Sequence, residues 1–150
     1  MSKEHFLSVS SNLPIRIYPL SEEEFLDEHK VRDYFNYDLK KQEGKFLYRG
    51  KKRAINADKG TLVLFQYQHN IVAQAEFLEV CRHEFPTIKY GVEYNGHFLF
   101  DLNTVKYYKQ PLTKEEFYKI YSDKPLTRVT HILDNQDKNN QLIKLIDSRI

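Results

Sequence analysis

A chain of 150 residues suits one domain, and a domain of that size buries roughly two-thirds of its unfolded surface. Its 23 basic and 21 acidic residues leave a formal charge of +2, which excludes a histone-like polycation and an acidic solvating tail alike. The lone cysteine, Cys81, excludes an internal disulfide and fits a reducing compartment. The opening MSKEHFLSVSS lacks the apolar run of a signal peptide, and no window approaches the ~20 apolar residues of a membrane span. A soluble, cytoplasmic protein without a membrane partner is expected. Its 11 Tyr and 10 Phe, with no Trp, must largely fill the core, while Tyr also supplies flat amphipathic surface for stacking.

In chain order, His5 to Ser10 alternates apolar and small polar residues, as a half-buried strand does, before Asn12 and Pro14 break it. Residues 15–18 extend the chain further. Ser21-Glu-Glu-Glu24 has the form of a capping box, which predicts a helix over 22–30 that can run on to Phe35. The polar middle, 36–60, leaves room for a short strand over 45–49. Residues 61–67 and 71–80 then read as two antiparallel strands joined by a polar turn, the first apolar on both faces with Leu62 and Leu64 buried, the second alternating.

Pro86 is expected to end that region. Further strands over 90–93 and 97–108 are expected to be joined at Asn95-Gly96, a strong hairpin signal, and to stop at Pro111. Thr113-Lys-Glu-Glu116 is a second capping box and predicts a short helix through Tyr121. A last strand over 126–133 and a terminal helix over 137–150 complete the reading.

Catalytic signals are sparse. Cys81 and His83 point the same way if they lie in a strand, but nothing marks a third group to orient them. The six histidines lack the paired spacing of a zinc site, so neither a metal nor a cofactor is expected. The clustered acids sit where helix N-termini favour them, and the glycines are too widely spaced to cradle phosphate. The richest cluster is KFLYRGKKR, residues 45–53, with five cations, two aromatics and no acid. Cations contact phosphates and aromatic faces stack on bases, so Lys45, Arg49, Lys51, Lys52 and Arg53 are candidates for a nucleic-acid backbone. Lys106 and Lys109, flanking Tyr107 and Tyr108, make a second such string.

Three stretches carry a family resemblance. Lys59-Gly60 with Phe65 and Tyr67, then Ile71-Val72-Ala73 with Ala75, then Pro111-Leu112-Thr113 with Glu116-Phe117 resemble motifs of the PUA-like superfamily. They are most similar to its EVE branch, a relative of the YTH and ASCH domains. The chain departs from the family at Thr61, usually Asp, and lacks the Trp residues that often line the pocket.

The resemblance implies an α+β fold over 1–150 as a single domain: a strongly curved, mostly antiparallel β-barrel flanked by short helices. It also implies a pocket near the end of the first strand for a modified or flipped base. Ser8, Ser10, Ser11 and Asn12 would read the base edge there, and Phe65 or Tyr67 would stack on it. The function expected is a non-catalytic nucleic-acid-binding module, for DNA or RNA, serving restriction, defence or RNA metabolism. The alternatives are a protein-interaction or regulatory domain on the same fold, and a nuclease with acids drawn from distant positions.

Overall fold

The computed structural model describes residues 13–50 and 55–150. The expected strand over 5–10 lies outside the described residues. Strands β1 (Ile15–Pro19), β2 (Lys45–Tyr48), β3 (Leu62–Tyr67), β4 (Asn70–Lys89), β5 (Val92–Leu112) and β6 (His131–Leu133) form one mixed sheet in the order β2-β5-β4-β3-β1-β6. β1 runs parallel to β3, with Ile17 opposite Leu64, and the other pairings are antiparallel. Among the described residues the sheet has free edges at β2 and β6, so the expected barrel is corrected to an open, mixed sheet.

Alternation along the strands sorts the core onto the two faces of this sheet. Val63, Phe65 and Tyr67 join Tyr18, Phe46, Tyr48, Phe77, Phe98 and Phe100 in an aromatic-rich cluster on one face. Leu62 and Leu64 join Ile15, Ile17, Tyr108 and Leu112 on the other. β3 is thus buried along its whole length, as its doubly apolar sequence requires. Register shifts in β4–β5 bend the two longest strands, and the small side chains of Ala73 and Ala75 stand in the core there.

The helices cover the two faces. The aromatic face is capped by a helical segment made of α1 (Glu28–Asp33), a π-helical turn (Tyr34–Asp38) and α2 (Leu39–Lys41), which buries Val31, Phe35 and Leu39. Each such fully buried side chain contributes about 1.5–3 kcal/mol of burial. The opposite face is covered by α3 (Lys114–Tyr118), through Phe117, and by α4 (Gln136–Asp147), through Leu142, Ile143 and Ile146.

Several expectations are corrected. Ser21 does not start a helix: its hydroxyl accepts from the Glu23 amide at 3.2 Å within a turn, and α1 begins at Glu28, capped by Asp27. The reason is Phe25, which must enter the core and turns the chain away from a helical path. β4 continues through Pro86 to Lys89, absorbing the proline in a register shift between Arg82 and Thr87. The β4–β5 turn is Tyr90-Gly91, both with positive φ, and Asn95-Gly96 lies inside β5. The last strand shrinks to three residues, His131–Leu133. No helix among the described residues is long and apolar enough to cross a membrane.

Candidate nucleic-acid interface

Two adjoining clefts open between the 20–25 turn, the helical segment, β2 and the β4–β5 hairpin. The first, about 420 Å³, lies at the C-terminal ends of β1 and β3 and is lined by Tyr18, Glu24, Tyr48, Arg49, Gln66 and His69 among others. The second, about 410 Å³, is lined by Phe25, Tyr34, Gln42, Phe46, Tyr90 and Tyr94, with Lys41 and Lys89 at its sides. Glu24, Phe25, Phe46 and Leu47 belong to both.

Each lining group is placed by a local device. His69 sits in the two-residue β3–β4 turn, where Gln68 and His69 both have positive φ (50° and 69°). Its Nδ1 lies 2.6 Å from the Leu126 carbonyl. A carbonyl only accepts, so Nδ1 carries the proton and Nε2 keeps its lone pair. The Gln66 amide fits its neighbours with its nitrogen toward the Thr127 carbonyl and its oxygen toward the His69 amide at 3.1 Å. Arg49 leaves the end of β2 and bridges Glu23 at 3.5 Å and Glu24 at 3.8 Å, offsetting part of the negative charge of that lip.

In the second cleft the Gln42 amide donates to the Lys45 carbonyl at 2.8 Å, and the Lys89 ammonium lies 5.9 Å from the centre of the Tyr90 ring. Tyr34 packs edge-on against Phe25, Phe35 and Phe46, and burial pushes its hydroxyl pKa far up, so it stays neutral. Burial, with Glu24 nearby, raises Tyr94 in the same direction. These are neutral phenols with accessible ring surface. Tyr90 is 94% exposed and Tyr94 half-buried.

The residues singled out from sequence fall differently. Ser8, Ser10, Ser11, Asn12, Lys51, Lys52 and Arg53 lie outside the described residues. Phe65 and Tyr67 stand in the core, 0% and 2% exposed, and the Tyr67 hydroxyl donates to the Phe25 carbonyl at 2.7 Å. Neither offers a ring face to a ligand in this structure. Lys45 alternates with buried Phe46 and so points to the sheet face opposite the aromatic core. Lys106 pairs with Gln74, to which Tyr108 donates at 2.8 Å, and therefore shares the face of Tyr108; Lys109, next along the strand, alternates away. The two cationic strings do not merge into one patch among the described residues. Cys81 is half-buried and unpaired by any disulfide, and His83 turns to His97 rather than to Cys81.

Tyr34, Gln42, Lys89, Tyr90 and Tyr94 went unremarked in the sequence. The usable signal was Lys89-Tyr90-Gly91, a cation and an exposed ring at a glycine turn.

The sequence matches no protein-family model and no curated protein. Solved structures do share the fold. The ASCH protein of Zymomonas mobilis superposes with a TM-score of 0.57 at 10% identity, covering 87% of this chain and 94% of that one. A serine-to-alanine variant of that protein gives 0.59 at 9% identity over 89% and 97% of the two chains. A tyrosine-to-phenylalanine variant gives 0.57 at 10% over 87% and 96%. The fold is therefore ASCH-like, within the PUA-like superfamily.

Proposed function

We propose that this chain is a nucleic-acid-binding module whose second cleft receives a base, with Tyr90 and Tyr94 as stacking faces and Lys41 and Lys89 toward the phosphates. The observation that carries this reading is a nucleoside-sized cleft walled by accessible rings and flanked by cations, on an ASCH-like fold. Stacking is sequence-tolerant because every base has a π-face, whereas the carboxylates of the first cleft suit exocyclic amino groups and repel phosphate. The strand is thus directed along the Lys41–Lys89 side. Recognition of a modified or flipped base, the EVE branch, a role in defence or RNA metabolism, and 1–150 as a single domain are the finer parts of the same proposal. In it, Ser8, Ser10, Ser11 and Asn12 supply edge contacts, and Lys51, Lys52 and Arg53 follow the cleft lip at Gly50 as backbone contacts.

Fluorescence polarisation against a panel of plain and modified DNA and RNA oligonucleotides tests it. Tyr90→Ala and Tyr94→Ala should each weaken binding by about 1–3 kcal/mol. Changing Lys51, Lys52 and Arg53 together to Ala should weaken it at all sequences and flatten the dependence of log affinity on log salt. Asn12→Ala should instead erode discrimination between plain and modified bases. Wild-type protein that binds no oligonucleotide in the panel overturns the reading. The exposed side chains Phe85, Ile88 and Tyr90 favour one alternative, a protein-docking domain on the same fold.

A further inference from the structure

On the sheet face opposite the aromatic core, the β2–β5–β4 end is left open: Leu47, Leu99, Cys81 and His97 are all partly exposed there. Cys81 is directly opposite His97 in the β4–β5 register, and His83, two residues further along β4, shares that face. The register shift that follows Arg82 lets the His83 ring lean across to its neighbour strand. His83 Nε2 and His97 Nδ1 stand 2.8 Å apart. Thr87 Oγ1 lies 2.9 Å from the other nitrogen of His83, Nδ1.

Two ring nitrogens aimed at each other share one proton or one cation. A metal–nitrogen bond is about 2.0 Å. Ligands in neighbouring corners of a square-planar site, about 90° apart, are then separated by about 2.8 Å, whereas tetrahedral ligands are separated by about 3.3 Å. The observed spacing matches the square.

We propose that His83 and His97 form a chelating pair for a divalent transition cation of tetragonal preference, Cu2+ or Ni2+, which takes the place of the shared proton. His83 would bind through Nε2 while its Nδ1–H donates to Thr87 Oγ1, the kind of outer hydrogen bond that fixes a ligating imidazole. His97 would bind through Nδ1. No three His, Cys, Asp or Glu side chains converge as ligands among the described residues, so water completes the coordination from the open face. Of the charged groups facing His97, Glu79 favours a cation there and Lys45 opposes it. The Cys81 thiol, raised in pKa by burial and by Glu79, donates to that carboxylate at 3.7 Å and is not a ligand. This site is independent of the nucleic-acid reading, since it lies on the other face of the sheet from the clefts.

The test uses the full chain and Ni2+ alone, because a thiol can reduce Cu2+. Isothermal titration at neutral pH should give one site whose affinity falls at least roughly tenfold in His83→Ala and in His97→Ala, while Cys81→Ser binds like wild type. Affinity should fall as pH is lowered, because protons compete for the same nitrogens. In the wild type, paramagnetic Ni2+ should broaden the ring-proton resonances of His83 and His97 before those of His29, His69 and His131, a measurement that needs no variant to fold. Absence of binding, equal binding by either histidine variant, or first broadening at another histidine overturns the proposal.

Discussion

The Tyr67 hydroxyl donates to the Phe25 carbonyl at 2.7 Å while its ring sits in the aromatic core, tying the 20–25 turn to β3. That makes it a packing residue with a polar anchor. Tyr67→Ala should cost about 3–5 kcal/mol of stability, in line with other buried aromatic truncations. Tyr67→Phe should cost about 0.5–1.5 kcal/mol, the net worth of the hydrogen bond. Thermal melts and oligonucleotide binding on the same variants separate this role from ligand contact. The folded fraction of Tyr67→Phe should bind like wild type, and lost affinity at an unchanged melting temperature would return Tyr67 to the interface. The sequence made its burial legible, because β3 is apolar at every position. It could not show that burial on both faces withdraws the very rings that the family motif suggested for stacking.

Two pairs of similar signals had opposite fates, and the difference is tertiary. Ser21-x-x-Glu24 and Thr113-x-x-Glu116 have the same form, yet only Thr113 makes the reciprocal box, its side chain accepting from the Glu116 amide at 3.2 Å. Beyond Ser21 the chain must bury Phe25; beyond Thr113 the burial of Phe117 coincides with helical spacing. Likewise Asn95-Gly96 has hairpin chemistry but lies across from Tyr48, where a Cβ on Gly96 would stand 2.5 Å from both the Cys81 carbonyl oxygen and the Tyr48 hydroxyl. That glycine serves close packing, and Tyr90-Gly91 takes the turn. The Thr113 box leads to a pH prediction. Hydrogen bonds from Thr113, chiefly its backbone amide, and the nearby Arg149 hold the Glu116 carboxyl below its ordinary pKa. A lowered folded-state value stabilises the protein above the unfolded pKa of about 4.3, and that stability is lost as pH falls through the lowered value. Melting temperature followed from about pH 6 to pH 2 should therefore fall less steeply for Glu116→Gln than for wild type. Thr113→Ala should cost about 1 kcal/mol at neutral pH.

At the scale of the whole molecule, the local meander β3–β4 was legible because both strands and their turn are contiguous. The clefts were not, because their walls come from the 20–25 turn, the helical segment, β2 and the far hairpin, which meet only after the sheet forms. The same separation governs β1. It lies inside the sheet, yet its partners β3 and β6 are remote in the chain, with Arg16 opposite both Val63 and Ile132. Loop-closure entropy must be overcome before such contacts stabilise anything. Assembly should accordingly begin in the β3–β4–β5 meander, admit β1, and only then dock β6 with the terminal helix. Because openings tend to follow contiguous units, native-state hydrogen exchange should release the amides of Ile132 and Leu133 through a smaller opening than those of Leu64 and Ala75. If all four exchange only with global unfolding, β6 is no late addition. If they separate, the strand that closes one edge of the sheet is also where the chain first comes undone, and proteolysis in the native state should begin on the 122–135 side.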